Sequence, residues 1–419
     1  TKINLCRRLY RTYPIDLMNQ PFWIEKLLRT YPVRSLIIPC CFVVTGLANA
    51  GDVTAPPQTE IERLELDTSF YKKYLSVNGF PVVASDKVSD FALKEAEFLI
   101  LQMVGDRPDL LEALTDAKIR FSIMAPDEFT TAIPEHFSLT PKNYWDKRAR
   151  GLGSTPERPA VSCGEENLLG YVGDPYAKEN IFIHEFAHSI HQQGLKKTDP
   201  TFQKRLENNF QRAVLKGLWK GKYAGTNPAE YWAEGVQSWF DTNREDDHDH
   251  NHVNTREELK AHDKGLAALC EEVFGDGVWR YQRPPEREKG APHLVGYDPK
   301  TAPTFAWPTE LVAAYAALEK GEGLKSVASL NLKNLNNHSF ASPPGGEGVQ
   351  LKFQNQTSET MRLFWVTFEG KRRAHGHIDP NRSTTQGTYE GHFWVVVDEN
   401  NEDIALVAAP NEDGVFVIK

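Results

Sequence analysis

One segment of the chain combines residue types and spacing that suit metal-dependent hydrolysis. His184, Glu185 and His188 read H-E-x-x-H in a stretch expected to be helical. Residues four apart share one face of a helix, so both imidazoles can reach the same cation. Glu185 would then lie beside that cation, where a general base for water is needed. The pattern predicts a zinc site with a catalytic glutamate, and its alternative is two core histidines beside an unrelated glutamate.

The helix that carries this motif has recognisable ends. Asn180 is a favoured helix-starting residue and Gly194 a favoured helix-ending one. His191, one turn after His188, is interpreted as a supporting or an exposed residue rather than a ligand. The longer pattern, with a glycine and a third histidine after H-E-x-x-H, is absent, which argues against the metzincin class.

A third ligand is expected on a second helix. Asn227 followed by Pro228 is a helix-start signal. Glu230 falls in the first turn, and Glu234 lies one turn later on the same face. We therefore predict Glu230 as a ligand and Glu234 as a hydrogen-bond partner of a ligand histidine. Acidic residues also favour the first turn of any helix because of its dipole, and this alternative stays open.

Together these residues resemble a known family over about residues 160–275. H-E-F-x-H, then a tyrosine seven residues before a glutamate that begins E-aromatic-aromatic-A-E, is similar to the catalytic domain of anthrax lethal factor and its Pro-specific bacterial relatives. These proteins are gluzincins. The resemblance implies one Zn²⁺ per chain, held by His184, His188 and Glu230. It also implies Glu185 as the general base and Tyr223 as the group that stabilises the oxyanion.

The same resemblance implies an α+β fold, with a zincin-like metallopeptidase domain at 51–324 and peptide-bond hydrolysis as its activity. Two alternatives stay open: a non-peptide amide hydrolase with the same metal chemistry, and an inactive zincin that only binds peptides. We expect a strand at 118–125 and a substrate-pairing edge strand within 160–171. Apolar periodicity predicts the following helices: 60–76, 86–104, 108–117, 201–220, 256–274 and 309–320.

Charge and the N-terminal residues indicate the compartment. The first fifty residues carry a formal charge of +5, which leaves −14 on the rest of a chain whose total is −9. An acidic body argues against nucleic acid as a partner. Within 1–50, two arginines precede the apolar run 35–47 and an A-N-A cleavage site that ends at Ala50. This segment predicts a secreted or periplasmic protein with no membrane span after cleavage, or one anchored by an uncleaved leader.

Two further features have alternative interpretations. Cys163 and Cys270 would be the two cysteines left after cleavage, either paired or free. The segment 245–252, with three alternating histidines among acids, is expected to be a solvated loop, and the alternative is a second metal site. Residues 325–348 are rich in Gly, Asn and Ser and are interpreted as a linker.

The C-terminal residues 349–419 predict a small all-β sandwich. Alternation indicates six strands at 349–355, 361–368, 384–389, 393–398, 404–407 and 415–418. The motifs F-x-N-x-T, L-x-W-x-x-F-x-G and T-Y-x-G-H-x-W, which begin at positions 353, 363 and 388, resemble the β-domain of the von Hippel-Lindau (VHL) tumour suppressor.

That resemblance implies a hydroxyproline pocket at Trp365, Thr388, His392 and Trp394. Threonine stands at position 388 where the family has serine, and His375 stands where it has tyrosine. The alternative for each of these residues is a packed sandwich core. Both resemblances together imply a protein or peptide substrate that is Pro-rich or contains hydroxyproline.

Overall fold

The computed structural model describes residues 51–287, 291–332 and 340–419. The signal segment expected at 1–50 lies outside these residues. The described chain mixes helices and sheet and ends in a small sheet module, which confirms the predicted α+β class and its C-terminal β-module.

The body of the protein is built on a five-stranded sheet in the order β1-β2-β3-β5-β4. Its strands are β1 Lys73–Val77, β2 Phe80–Ala84, β3 Arg120–Met124, β4 Gly151–Leu152 and β5 Ala160–Gly164. The strands β2, β3 and β5 run parallel, whereas β1 and β4 are antiparallel to their neighbours. The central strands are buried along their whole length, as parallel strands covered on both faces must be.

Twelve helices surround this sheet in the described residues. They are α1 Gln58–Leu64, α2 Asp90–Val104, α3 Pro108–Asp116, α4 Lys142–Arg148, α5 Glu165–Leu169, α6 Ile181–Ser189, α7 Lys196–Thr198, α8 Phe202–Leu215, α9 Pro228–Trp239, α10 Arg256–His262, α11 Lys264–Phe274 and α12 Thr309–Lys320. One large apolar core joins the sheet to α2, α3, α6, α8, α9 and α11. Phe121 of β3 stacks on Phe182 of α6, with ring centroids 4.2 Å apart, so the sheet directly supports that helix.

The helix expected at 60–76 is wrong beyond residue 64. Glu65 takes a left-handed conformation (φ 55°) that ends α1, and the chain then forms the hairpin of β1 and β2. The hairpin turns at Asn78 and Gly79, both with positive φ. Asn-Gly between apolar residues is a strong hairpin signal, which the apolar periodicity of the preceding residues obscured.

Two other expectations need correction. The helix expected at 256–274 is broken at Asp263, whose carboxylate accepts hydrogen bonds from the amides of Gly265 and Leu266 and thereby starts α11. The predicted edge strand within 160–171 is only partly correct. Residues 160–164 form β5, but β5 lies between β3 and β4, and the short β4 is the edge.

The C-terminal module consists of two four-stranded sheets. Their orders are β10-β7-β13-β6 and β12-β11-β8-β9. The strands are β6 Lys325–Ser326, β7 Gly348–Asn355, β8 Met361–Val366, β9 Arg372–Ile378, β10 Ser383–Tyr389, β11 Phe393–Val397, β12 Asp403–Ala408 and β13 Gly414–Ile418. Side chains from both sheets, including Phe353, Leu363 and Trp394, form the core between them.

The described parts of 325–348 are not a free linker. Lys325 and Ser326 pair with β13, Leu330 forms a bridge with Leu406, and Ser342 is buried. Residues 333–339 lie outside the described part of the chain. Strand β9 was not predicted because its sequence is R-R-A-H-G-H-I and has almost no apolar alternation.

Two remaining sequence expectations concern the cysteines and the membrane. Cys163 and Cys270 are both buried and free among the described residues, so they do not pair with each other. Across residues 51–287, 291–332 and 340–419, no helix has the length and apolarity needed to cross a bilayer.

Candidate functional site

Two capped helices position the candidate ligands. The side-chain oxygen of Asn180 accepts a hydrogen bond from the amide of Ile183 at 3.0 Å and starts α6. Asn227 caps α9 in the same way, because its Oδ1 accepts from the amides of Ala229 (2.9 Å) and Glu230 (3.0 Å). Both helix starts confirm the sequence prediction. An Asn cap satisfies amides that would otherwise lack a partner, so each helix start is fixed locally.

The end of the first helix differs from the expectation. Regular α geometry stops at Ser189, and a π-helical turn over Ile190–Leu195 contains Gly194 instead of ending there. His191 lies in this turn, with its Nε2 2.7 Å from Oε1 of Gln203. Burial lowers the pKa of His191 to about 4, so it is neutral near pH 7. It is therefore neither exposed nor a member of the ligand group.

The two helices are locked together close to the ligands. Trp232 of α9 is fully buried, and its indole Nε1 donates a hydrogen bond to the carbonyl of Ala187 on α6 at 3.0 Å. This contact lies one residue before His188 and two after Glu230. The relative position of the two helices is therefore set by a buried bond adjacent to the site.

Three ligand atoms converge where the helices meet. The Nε2 atoms of His184 and His188 are 3.2 Å apart, and Oε2 of Glu230 lies 3.3 Å and 3.4 Å from them. Bonds of about 2.0–2.1 Å to a tetrahedral zinc ion place neighbouring ligand atoms about 3.3 Å apart. These residues also form the group of His, Cys, Asp and Glu side chains that could hold a metal ion within the described chain.

The hydrogen bonds of Gln237 define which nitrogen of His184 carries a proton. Its amide nitrogen donates to Oε2 of Glu179 at 3.1 Å, which orients the amide. Its Oε1 is then the acceptor 2.7 Å from Nδ1 of His184, so Nδ1 carries a hydrogen and Nε2 is the nitrogen left to bind a cation. Oε2 of Glu230 is buried, and no described residue donates a hydrogen bond to it. Two imidazole nitrogens and a carboxylate oxygen that face one another in this way could hold a cation in place of a proton.

Gln237, rather than Glu234, is the hydrogen-bond partner of His184, the candidate ligand. Glu234 Oε1 lies 3.7 Å from Nδ1 of His184, beyond hydrogen-bond distance. The carboxylate instead accepts from Asn243 at 3.0 Å and lies 3.2 Å from Nε2 of His250. Glu234 therefore holds the following loop against the helix, which corrects the role predicted from sequence.

Neighbouring charged groups shift the pKa values of the site residues. Burial alone would raise the pKa of the Glu230 carboxyl, but the two imidazoles beside it lower that pKa below its usual range. Burial would likewise lower the pKa of His184, but Glu230 and Glu185 raise it well above its usual value. The negative charge of Glu230 and burial raise the pKa of the Tyr223 hydroxyl well above its usual value. Tyr223 is therefore a neutral phenol that can donate a hydrogen bond.

The edge strand passes directly over the general-base candidate. A Cβ on Gly151 would lie 3.2 Å from Cγ of Glu185, and a Cβ on Gly153 would lie 3.0 Å from Cβ of His188. Glycines therefore allow β4 and the residue after it to approach the motif closely. The ring of Tyr223 stacks at 6.5 Å from that of His184, so the phenol also borders the ligand group.

The histidine-rich segment 245–252 forms no second metal group in the described structure. His250 is 4% exposed and is held between Glu234 and Asp247, so this part of the expected solvated loop is buried. His248 is exposed and contacts Asp249 and Asp379, the latter at 3.3 Å.

In the C-terminal module the five predicted pocket residues form one cluster. The ring centroids of Trp365 and His392 are 5.5 Å apart, and those of His375 and Trp394 are 5.0 Å apart. Trp394 donates its Nε1 to the Thr388 hydroxyl at 3.1 Å. Two buried polar atoms, Nε1 of Trp365 and Nε2 of His392, have no hydrogen-bond partner in the part of the chain that the structure describes. Burial lowers the pKa of His375 to about 4.

Comparison with known proteins supports the resemblance found for the C-terminal module. A family model described as the VHL beta domain matches residues 344–419, which include all five residues of the cluster. No curated protein matches the chain. The VHL-like character of the module therefore has independent support.

Sequence reasoning missed two contributors to the site. Gln237 lies seven residues after Glu230, two turns along the same helix face, and this spacing was the available signal. The glycines at 151 and 153 were the signal for a close edge strand. Neither pattern is specific without knowledge of which helix faces which strand.

Proposed function

We propose that this chain is an exported zinc-dependent endopeptidase with a zincin-like body. The observation that carries the proposal is the convergence of His184, His188 and Glu230, whose ligand atoms lie 3.2–3.4 Å apart in the arrangement that zinc prefers. The positions of Glu185 and Tyr223 beside this group add support. Export is supported by the positively charged and apolar pattern before Ala50.

The chain's own residues supply the remaining chemistry. A bound zinc ion would act as a Lewis acid and would lower the pKa of water towards neutrality. Glu185 would take a proton from the attacking water and deliver it to the leaving amine. Tyr223, neutral because its pKa is raised, would donate a hydrogen bond to the carbonyl oxygen as its negative charge grows.

The edge strand β4 gives this chemistry a substrate geometry. β4 is paired only on the side of β5 among the described strands, and it runs past Glu185 and His188. An extended peptide that paired with β4 would therefore pass across the ligand group. This arrangement supports a peptide over a small-molecule amide as the substrate class.

The experiment is the substitution Glu185→Gln in the full-length protein. Zinc content should stay near one ion per chain, while cleavage of a mixed peptide library should fall by about 10²–10⁴-fold, the usual contribution of a general base. Glu257→Gln is the matched control, because the Glu257 side chain is 79% exposed and is remote from the ligands in sequence. Full peptidase activity in the Glu185 variant would refute the assignment, and absence of zinc from the wild type would refute the metal centre.

A second candidate function is peptide binding without catalysis. It is favoured by the VHL beta domain match and by two buried nitrogens that have no partner among the described residues. Nε1 of Trp365 could donate a hydrogen bond to a hydroxylated proline residue, and Nε2 of His392 could accept one from its hydroxyl. Binding of hydroxyproline peptides by a wild-type protein that holds no zinc and cleaves nothing would favour this function over the first.

A further inference from the structure

The cleft at the ligand group has walls from both the body and the module. A cavity of about 660 Å³ is lined on the body side by Tyr223, Thr226 and Glu230, and on the module side by residues 375–379 and 382–386. This volume falls within the range of about 300–1,000 Å³ that is common for ligand sites. Body and module lie in one compact unit of the chain. We call this cavity the shared cleft.

Specific contacts fix the module against the body. The side-chain amide of Gln350 donates to the carbonyl of Thr140 at 2.6 Å. Lys352, whose side chain is 1% exposed, lies 3.5 Å from the carboxylate of Glu319. Separation of the module from the body would be costly, because the buried amine of Lys352 would lose its carboxylate partner on the body.

A glycine allows the closest approach near the ligands. Gly376 has φ +102°, and a Cβ there would lie 2.9 Å from Cγ2 of Thr226. Thr226 directly precedes Asn227, which caps the helix of Glu230. The module therefore touches the body at the residue next to the start of the ligand helix.

The wall that the module contributes is made from strand edges. β9 and β10 are each the last strand of a sheet, and the turn between them reaches the cleft. His375 of β9 lines the shared cleft and also packs against Trp394 at 5.0 Å, so it belongs to both the cleft and the aromatic cluster. The two sites are therefore contiguous through one side chain.

We infer that the module is part of the peptidase cleft, and that one extended peptide contacts the metal ligands and the β9–β10 wall together. The inference rests on the proposed function and deepens it, since it makes His375 and Gln386 specificity-determining residues. A peptide that extends from Glu230 through the shared cleft meets these side chains, because they form its opposite wall. Residues on both segments then decide which sequences are bound.

The test uses peptide hydroxamates, whose hydroxamate group binds zinc, with the full-length zinc-loaded protein. Two series of alanine hydroxamates of one, three and five residues extend in opposite directions from that group. In at least one series the wild type should gain about tenfold in affinity with length, and His375→Ala and Gln386→Ala should lose about threefold or more of that gain. Gln356→Ala is the matched control, because Gln356 is exposed on the module and does not line the cleft.

The outcomes separate this inference from the proposed function. Equal length dependence in the wild type and in both wall variants, with normal affinity for the one-residue probe, would overturn the shared cleft but leave the metal centre intact. No binding of any hydroxamate to a protein that also lacks zinc would overturn both. The inference is supported if the wall variants lose affinity for the longer probes only. Unchanged affinity for the shortest probe shows that the ligand group is still folded.

Discussion

Substitution of Gln237 by methionine tests whether the hydrogen bond from Gln237 to His184 raises zinc affinity, apart from any effect on the stability of the fold. Methionine has a similar length but neither the amide oxygen 2.7 Å from Nδ1 of His184 nor the amide nitrogen that donates to Glu179. Gln237 is fully buried, so water cannot replace the lost acceptor. The imidazole would lose the bond that keeps a proton on Nδ1 and leaves Nε2 as the nitrogen that binds the cation.

The expected loss of zinc affinity follows from the cost of an unsatisfied buried donor. That cost is about 1–3 kcal/mol, which corresponds to about a 5- to 150-fold change in a binding constant. Substitution of groups that orient metal ligands usually costs about 10- to 100-fold in affinity, which agrees. We therefore expect Gln237→Met to bind zinc about 10- to 100-fold more weakly than the wild type.

The assay is a competitive zinc titration against a chromophoric chelator, with the free energy of unfolding of the zinc-free proteins measured in parallel. Gln203→Met is the control, because Oε1 of the exposed Gln203 lies the same 2.7 Å from a histidine, His191, that is outside the candidate ligand group. It should leave zinc affinity unchanged. The reasoning is refuted if both variants bind zinc equally well, or if Gln237→Met matches the wild type.

Two further predictions concern buried titratable residues outside the candidate ligand group. Arg150, fully buried, holds Glu166 through bonds of 2.6 Å and 2.9 Å, so Arg150→Met should lower the free energy of unfolding by about 3–5 kcal/mol, and the added change Glu166→Leu should restore much of it in denaturant titrations. Burial lowers the pKa of His136 to about 4 from the usual 6.5, so its contribution is complete above pH 6.5 and about 3 kcal/mol is lost as the pH falls towards 4. His136→Asn should remove that component, and parallel stability curves for wild type and variant would contradict it.

The elements that sequence predicted best are those with local causes. The starts of both ligand helices depend on a single asparagine and the amides within three residues of it, so Asn180 and Asn227 were sufficient to place them. The spacing of H-E-x-x-H needs only helical geometry to bring its histidines to one face. The position of Glu230 opposite that face could not follow from local rules, because it depends on the packing of Trp232 against the first helix.

Errors arose where two signals competed. The apolar residues within 74–77 fit both the helical and the strand period. The Asn-Gly turn that follows them favours a hairpin, which the structure has. The choice between Glu234 and Gln237 was similar, since both lie on the face of α9 that meets His184. Gln237 is the partner of His184 because Asn243 and His250 already contact the carboxylate of Glu234, and this depends on tertiary packing.

The failure to predict β9 has a physical explanation that bears on function. A strand is recognised from sequence by apolar residues that face a core, but β9 begins with three exposed residues, Arg372, Arg373 and Ala374. Such a strand lacks the alternation of apolar and polar residues that is typical of a sandwich strand, because its exposed side chains do not pack in the sandwich core. In this structure those positions lead into the wall of the shared cleft, where His375 and Gly376 meet the body. Local disagreement between sequence pattern and fold is expected where residues are retained for binding rather than packing, and that is the role we infer for this wall.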